Sequence, residues 1–291
     1  MMFQQPHIQH LKSFNRNNIN VDVLRLDTIH PIVSGNKWYK LQYYIQDAIT
    51  KNYTTIVTFG GAYSNHIIAT AFACKEFNLK SIGIIRGEKA PTLSHTLQQA
   101  KQYEMELHFV SREAYKYKNE IASKMSNDKH YIISEGGYGK LGATGAASIL
   151  KTVDTTSYTH IICACGTGTM LAGIINAAQA HQAIIGINAL KGYENIVEDI
   201  NNICNTKKEF TVMNNYHFGG YGKHPKDLIS WMNTLWQTEQ LPTDIVYTAK
   251  LFFATKDLIE TDYFGADSKI LIIHSGGLQG NLSLPKGTLL F

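Results

Sequence analysis

The sequence predicts an α/β protein built from two doubly wound, open and largely parallel sheets. Two observations predict it. Short apolar runs rich in β-branched residues alternate along the chain with longer stretches of helical period, and such alternation gives parallel strands joined by crossover helices. Several of the strand-like runs also end in polar or glycine-bearing turns. That is where an open α/β sheet presents its loops to a ligand.

Taken in order, Val21 to Leu26 reads as a strand, and a helix follows near Trp38 to Thr50. Next come a strand at Thr54 to Phe59, a helix from Asn65 to Phe77 and a strand at Ser81 to Arg86. Then come a helix from Thr92 to Tyr103, a strand at Leu107 to Val110, a helix near Arg112 to Ser126 and a strand at Tyr131 to Ser134. A glycine-rich stretch, Gly136 to Gly145, leads into a helix ending near Val153. His160 to Ala164 is a buried-type strand, followed by a glycine turn and a helix from Thr169 to Ala180. Ile184 to Ala189, Phe210 to Met213 and Ile270 to His274 complete the strands. Four strand–helix units in residues 45–143 predict a small domain, and residues 1–44 with 144–291 predict a larger one assembled from both ends of the chain. A cleft between the two sheets is the expected ligand site.

Composition narrows the class. The chain has 291 residues, 44% hydrophobic and 17% charged, which suits a globular protein with one large core or two moderate ones. A net charge of +4 with dispersed lysines argues against nucleic acid as a partner. Cys74, Cys163, Cys165 and Cys204 do not repeat like a disulfide framework and read as packed thiols of a reducing compartment. No metal site is expected. No signal-like segment opens the chain and no apolar run reaches bilayer length, so a cytoplasmic protein is expected.

Three distant segments carry the chemistry. In Ser34-Gly35-Asn36-Lys37-Trp38-Tyr39-Lys40, a loop lysine is ordinarily a solvated surface group. Here Gly35 permits close approach, and Lys40 shares a helical face with Lys37. Crowded cations lower each other's pKa and yield a neutral, nucleophilic amine. In Gly60-Gly61-Ala62-Tyr63-Ser64-Asn65-His66, Ser64 or Asn65 reads equally as a plain helix N-cap or as part of an anion site at free helix N–H groups. His66 alone reads as structural. In Gly166-Thr167-Gly168-Thr169, backbone N–H groups and hydroxyls can converge on a phosphate. Leu171 stands where a dinucleotide fingerprint needs its third glycine, and the P-loop lysine is missing. That makes a nicotinamide dinucleotide a poor fit. An amine, a polar turn and a glycine cradle together suggest pyridoxal phosphate. Tyr221, flanked by glycines, and Tyr247 are further candidates.

These residues resemble the 1-aminocyclopropane-1-carboxylate deaminase and D-cysteine desulfhydrase family of fold-type II pyridoxal-phosphate enzymes. The resemblance is carried by Ser34-Gly35-Asn36-Lys37, Ser64-Asn65-His66, Gly166 to Thr169, Tyr221, Val246-Tyr247-Thr248 and His274-Ser275-Gly276-Gly277. It runs over nearly the whole chain in the family's order. It implies a tryptophan synthase β-like fold with the cofactor between two domains, and a homodimer. It further implies that Lys37 joins pyridoxal 5'-phosphate covalently and moves protons at the substrate carbon. Lys40 and the Gly166, Thr167, Gly168 and Thr169 loop would hold the phosphate, and Asn65 the ring hydroxyl. Ser64, with the main chain of Asn65 and His66, would bind the substrate carboxylate, and Tyr221 and Tyr247 would stand near the reacting carbons.

The departure lies at the cofactor's ring nitrogen. Deaminases of this family carry a glutamate directly after the second tyrosine, whereas this chain carries Thr248, with Ser275 as a second hydroxyl. A neutral partner weakens the electron sink. The resemblance therefore implies D-cysteine desulfhydrase-like β-elimination, with 1-aminocyclopropane-1-carboxylate ring opening as the alternative. A dinucleotide oxidoreductase and a silent binding protein are the remaining alternatives from other classes.

Overall fold

The computed structural model describes residues 3–291. Two sheets form. The larger takes its strands from both ends of the chain: β1 (His7–His10), β2 (Asn20–Arg25), β7 (His160–Cys165), β8 (Ala183–Asn188), β9 (Thr211–Met213) and β10 (Lys269–His274), in the order β1-β2-β10-β7-β8-β9. The smaller is β5-β4-β3-β6, from β3 (Thr55–Gly61), β4 (Lys80–Arg86), β5 (Glu106–Val110) and β6 (His130–Ile133). All pairings are parallel except β1 with β2. The central strands explain this. Ile270 to Ile273, Ile161 to Cys163 and Ile184 to Ile187 are mostly buried, as parallel strands covered on both faces require.

The helices are α1 (Asn36–Thr50), α2 (Asn65–Glu76), α3 (His95–Gln102), α4 (Lys118–Met125), α5 (Lys140–Ala147), α6 (Thr169–Ala177), α7 (Ile196–Ile203), α8 (Lys226–Glu239) and α9 (Thr248–Glu260). Several differ from the sequence expectation. Ser94 caps α3 by accepting from Leu97 N–H, so that helix starts later than Thr92. The Arg112 to Ser126 stretch divides into a 3₁₀ turn, Ala114–Tyr117, and α4. α5 stops at Ala147 and continues as 3₁₀ turn Ser148–Lys151. β1, α7, α8 and α9 were not anticipated.

Packing fixes the glycine turn after β7. A Cβ on Gly173 of α6 would stand 2.5 Å from the Ala143 carbonyl oxygen of α5, so only glycine lets these helices meet backbone to backbone. Cys163 and Cys165 point to one face and pack with Leu171 and Ile184 in the same core. Among the described residues, no helix is long and apolar enough to cross a membrane.

Candidate active site

The chain reverses into α1 at Gly35, whose φ of 63° and ψ of −146° are open to glycine almost alone. A Cβ there would lie 1.7 Å from the Ser275 carbonyl oxygen. Gly35 N–H donates to Leu26 O at 2.7 Å and Asn36 N–H to Ser275 O at 3.2 Å. The loop after β10 thus clamps the start of α1. Lys37 is the second residue of that helix and its side chain is only partly exposed.

Lys37 Nζ donates to Asn36 Oδ1 at 2.7 Å. Its pKa falls from 10.5 to about 8, driven by burial and opposed by the Asp244 carboxylate. The expected cause was crowding by Lys40, and this is corrected: burial disfavours the charged amine, and the mutual repulsion is felt at Lys40. Lys40 is buried, its pKa lowered first by burial and then by Lys37. Its Nζ has one carbonyl partner, Gly136 O at 3.3 Å.

Ser64 is the N-cap of α2, its Oγ accepting from Ile67 N–H at 3.3 Å. The plain capping role is therefore realised, and the Ser64 hydroxyl hydrogen is left over. Asn65 Nδ2 donates to Gly277 O at 3.3 Å, while its buried Oδ1 has no partner. The His66 ring turns inward. Thr58 Oγ1 donates to Ile133 O, so the 2.9 Å contact to Thr58 makes His66 Nε2 the donor, leaving Nδ1 an unpartnered buried acceptor. Burial, then the charges of Lys37 and Lys40, lowers the His66 pKa to about 3. The ring is neutral and is not a general base.

The third segment follows β7. Gly168 (φ 78°) caps α6, and the hydroxyls of Thr167 and Thr169 lie 2.9 Å apart. The Tyr247 ring lies against Gly166, where a Cβ would come within 3.0 Å of it. Tyr221 meets Tyr247 edge to face at 6.3 Å. Burial first, then Tyr221 and Asp244, raises the Tyr247 phenol pKa, so Tyr247 stays protonated, while Tyr221 is about half exposed. Ser275 is buried in the turn after β10. Beside the Thr167 loop opens a cavity of about 230 Å³ lined by Lys118, Glu135, Tyr138, Thr167, Tyr193 and Asp199 among others.

Thr248 corrects an expectation. Its hydroxyl is fully buried and both its hydrogen bonds go to Asp244: it accepts from Asp244 N–H and donates to Asp244 Oδ1, each at 2.6 Å. The Asp244 carboxylate also takes N–H groups of Val246, Tyr247 and Thr248 at 2.8–3.0 Å. Thr248 therefore closes the start of α9 and has no free hydroxyl to offer a ligand. Asp244 and Lys250 were not anticipated as site residues. Lys250 is fully buried, and its Nζ donates to Gly220 O at 2.7 Å and Ala189 O at 3.4 Å, tying the Tyr221 loop to the helix that follows Tyr247.

The group fits pyridoxal phosphate on its own chemistry. Two lysine amines, Lys37 partly exposed and Lys40 buried, have few acceptors, beside a glycine–threonine turn and two orphaned acceptors, Asn65 Oδ1 and His66 Nδ1. An anion with a hydroxyl-bearing ring supplies what these groups lack.

A family model for pyridoxal-phosphate dependent enzymes matches residues 6–276. A provisionally named 1-aminocyclopropane-1-carboxylate deaminase of Pyrococcus abyssi is 29% identical, across 94% of this chain and 89% of its own. A bifunctional D-cysteine desulfhydrase/1-aminocyclopropane-1-carboxylate deaminase of Arabidopsis thaliana is 26% identical, across 85% of this chain and 70% of its own. The crystal structure of an ACC deaminase homologue superposes with a TM-score of 0.82 at 27% identity, covering 96% of this chain and 91% of that one.

Proposed function

This chain belongs to the pyridoxal-phosphate-dependent enzyme family, and on that premise we propose that it is a lyase for small β-substituted amino acids. The proposed reaction is β-elimination of the D-cysteine desulfhydrase kind, in which D-cysteine and water give pyruvate, ammonia and sulfide. The observation that carries the reading is the Lys37 amine, with its pKa lowered to about 8 among residues that suit the cofactor's other groups.

Bound pyridoxal phosphate supplies the electron sink, a weaker one when its ring nitrogen faces a hydroxyl than when it faces a carboxylate. Lys37 would anchor it; Lys40, the Gly166 to Thr169 turn, Asn65 and Ser275 would hold its phosphate, ring hydroxyl and ring nitrogen. With Thr248 committed to Asp244, Ser275 would be the neutral partner at the nitrogen. Among the described residues no acceptor takes the N–H of Asn65 or His66, which supports substrate carboxylate binding there beside the Ser64 hydroxyl. Lys37 would take the α-proton as general base, and the phenols of Tyr221 and Tyr247 would stand near the β-substituent. A good leaving group such as thiolate tolerates the weaker sink, whereas opening a cyclopropane does not. The relatives' names favour a second reading, ring opening of 1-aminocyclopropane-1-carboxylate.

The test is the purified holoenzyme with D-cysteine, β-chloro-D-alanine and 1-aminocyclopropane-1-carboxylate, following 2-oxo acid release. Elimination from the first two is expected. Release of 2-oxobutanoate from the third alone selects the second reading. Lys37→Ala loses both the visible cofactor band and turnover; turnover retained in that variant overturns the mechanism. A homodimer belongs to the same reading, and light scattering at twice the 32.6 kDa chain mass checks it.

A further inference from the structure

One buried residue of the His274-Ser275-Gly276-Gly277 run has no part in the chemistry above. His274 is the last residue of β10 and is fully buried. Its ring uses both nitrogens. Nε2 lies 2.8 Å from Pro242 O, and a carbonyl only accepts, so Nε2 carries the hydrogen. Nδ1 accepts the Gly276 N–H at 3.2 Å, so Nδ1 is bare. The hydrogen-bond pattern is that of the neutral imidazole protonated at Nε2.

A carboxylate stands on the Nδ1 side. Asp27 Oδ1 lies 3.5 Å from that nitrogen, where its charge would favour a second proton on the ring. Arg25, beside His274 in the strand register, holds both Asp27 oxygens, at 2.8 and 2.6 Å, and matches that charge. Nδ1 is thereby left to Gly276.

Gly276 is the centre of a turn that meets the site on both sides. Ser275 O takes the Asn36 N–H at 3.2 Å, and Gly277 O takes Asn65 Nδ2 at 3.3 Å. The Ser275 hydroxyl itself has no hydrogen-bond partner among the described residues. Its place is therefore set by the backbone of the turn, and the His274 ring holds the centre of that backbone. The other end of the ring reaches Pro242, two residues before Asp244, whose carboxylate takes the Tyr247 N–H at 3.0 Å. One neutral ring thus sets the Ser275 turn against the segment that delivers Tyr247.

We propose that His274 is the positioning residue for the cofactor's ring nitrogen, its bare Nδ1 fixing the turn that presents the Ser275 hydroxyl. This rests on the assignment of Ser275 to that nitrogen and carries it one residue back along the chain.

The experiment measures, by equilibrium dialysis, the affinity of the apoprotein for pyridoxal phosphate and for its 1-deaza analogue, in which C–H replaces the ring nitrogen. The ratio of the two Kd values separates the ring-nitrogen site from general damage to the fold. His274→Asn places its amide oxygen where Nδ1 stood and can accept from Gly276. His274→Gln reaches only the Nε2 place. His274→Gln is expected to weaken pyridoxal phosphate about fivefold and the deaza analogue less than twofold. His274→Asn leaves the larger void, yet is expected to keep the wild-type ratio within about twofold. Ser275→Ala is expected to lose the preference as well, and adding His274→Gln to it changes the ratio no further. Equal losses on both ligands, or an Asn variant no better than Gln, overturn the positioning role and leave the cofactor reading standing. A wild type with no preference for pyridoxal phosphate over the deaza analogue overturns the Ser275 assignment too, and one that binds neither overturns the cofactor reading. Nitrogen-15 NMR of the wild-type protein needs no folded Gln variant. The ring signal missing from His274→Asn is expected to show hydrogen on Nε2 alone, and hydrogen on Nδ1 overturns the proposal.

Discussion

The pH dependence of cofactor capture by the apoprotein follows directly from the burial of Lys37. Only the neutral amine attacks an aldehyde. With the pKa at about 8 instead of 10.5, about 9% of the amine is neutral at pH 7, against roughly 0.03% for a solvated lysine, an advantage of about 300-fold. Mixing apoprotein with pyridoxal phosphate, quenching with borohydride and counting labelled Lys37 by mass spectrometry gives the capture rate. That rate is expected to rise with pH and level off through a midpoint near 8. Asp244→Asn removes the carboxylate that opposes the shift and moves the midpoint lower. Stability carries the same signature with a definite sign. The folded pKa lies below the unfolded one, so the unfolded chain binds more protons between about pH 8 and 10.5, and the apoprotein gains stability as pH rises through that window. A capture midpoint near 10 in the wild type refutes the claim that burial activates this amine.

Three further perturbations test the frame around it. Gly35→Ala places a Cβ 1.7 Å from Ser275 O and forces a glycine-only conformation costing about 1–3 kcal/mol before any clash; lost cofactor binding and a lower denaturation midpoint are expected. Thr248→Val leaves buried Asp244 without its hydroxyl partner, which costs about 1–3 kcal/mol in urea unfolding, while the visible band is retained. Lys250→Met frees Gly220 and Ala189 from their shared ammonium and relieves a buried charge; turnover falls about tenfold, set by the Tyr221 loop, while stability barely moves because the two effects offset.

What the sequence made legible depended on whether a residue's task was local. Lys37, Ser64 and Gly168 sit at helix starts, where neighbours in sequence are neighbours in space, so their settings could be read from a few letters. β1 (His7–His10) gave no apolar alternation because it is an exposed antiparallel edge. α8 did carry buried Leu228, Met232 and Leu235 at helical spacing after Pro225, and α7 carried Ile196, Ile200 and Ile203. Those signals were present and were outweighed by the polar residues between them. Thr248 differs from the sequence expectation for another reason. Its side chain answers to Asp244 four residues earlier, and a partner that close wins over any ligand across the cleft. The activation of Lys37 was legible only in outcome. Lys40, adjacent on the helix, offered an explanation from charge. The actual cause is burial, in a helix start that the turn after β10 grips from the other end of the chain at Gly35 and Asn36. The reactive amine is therefore a property of that closure, and whatever loosens Ser275 from Gly35 returns Lys37 toward the pKa of a solvated lysine.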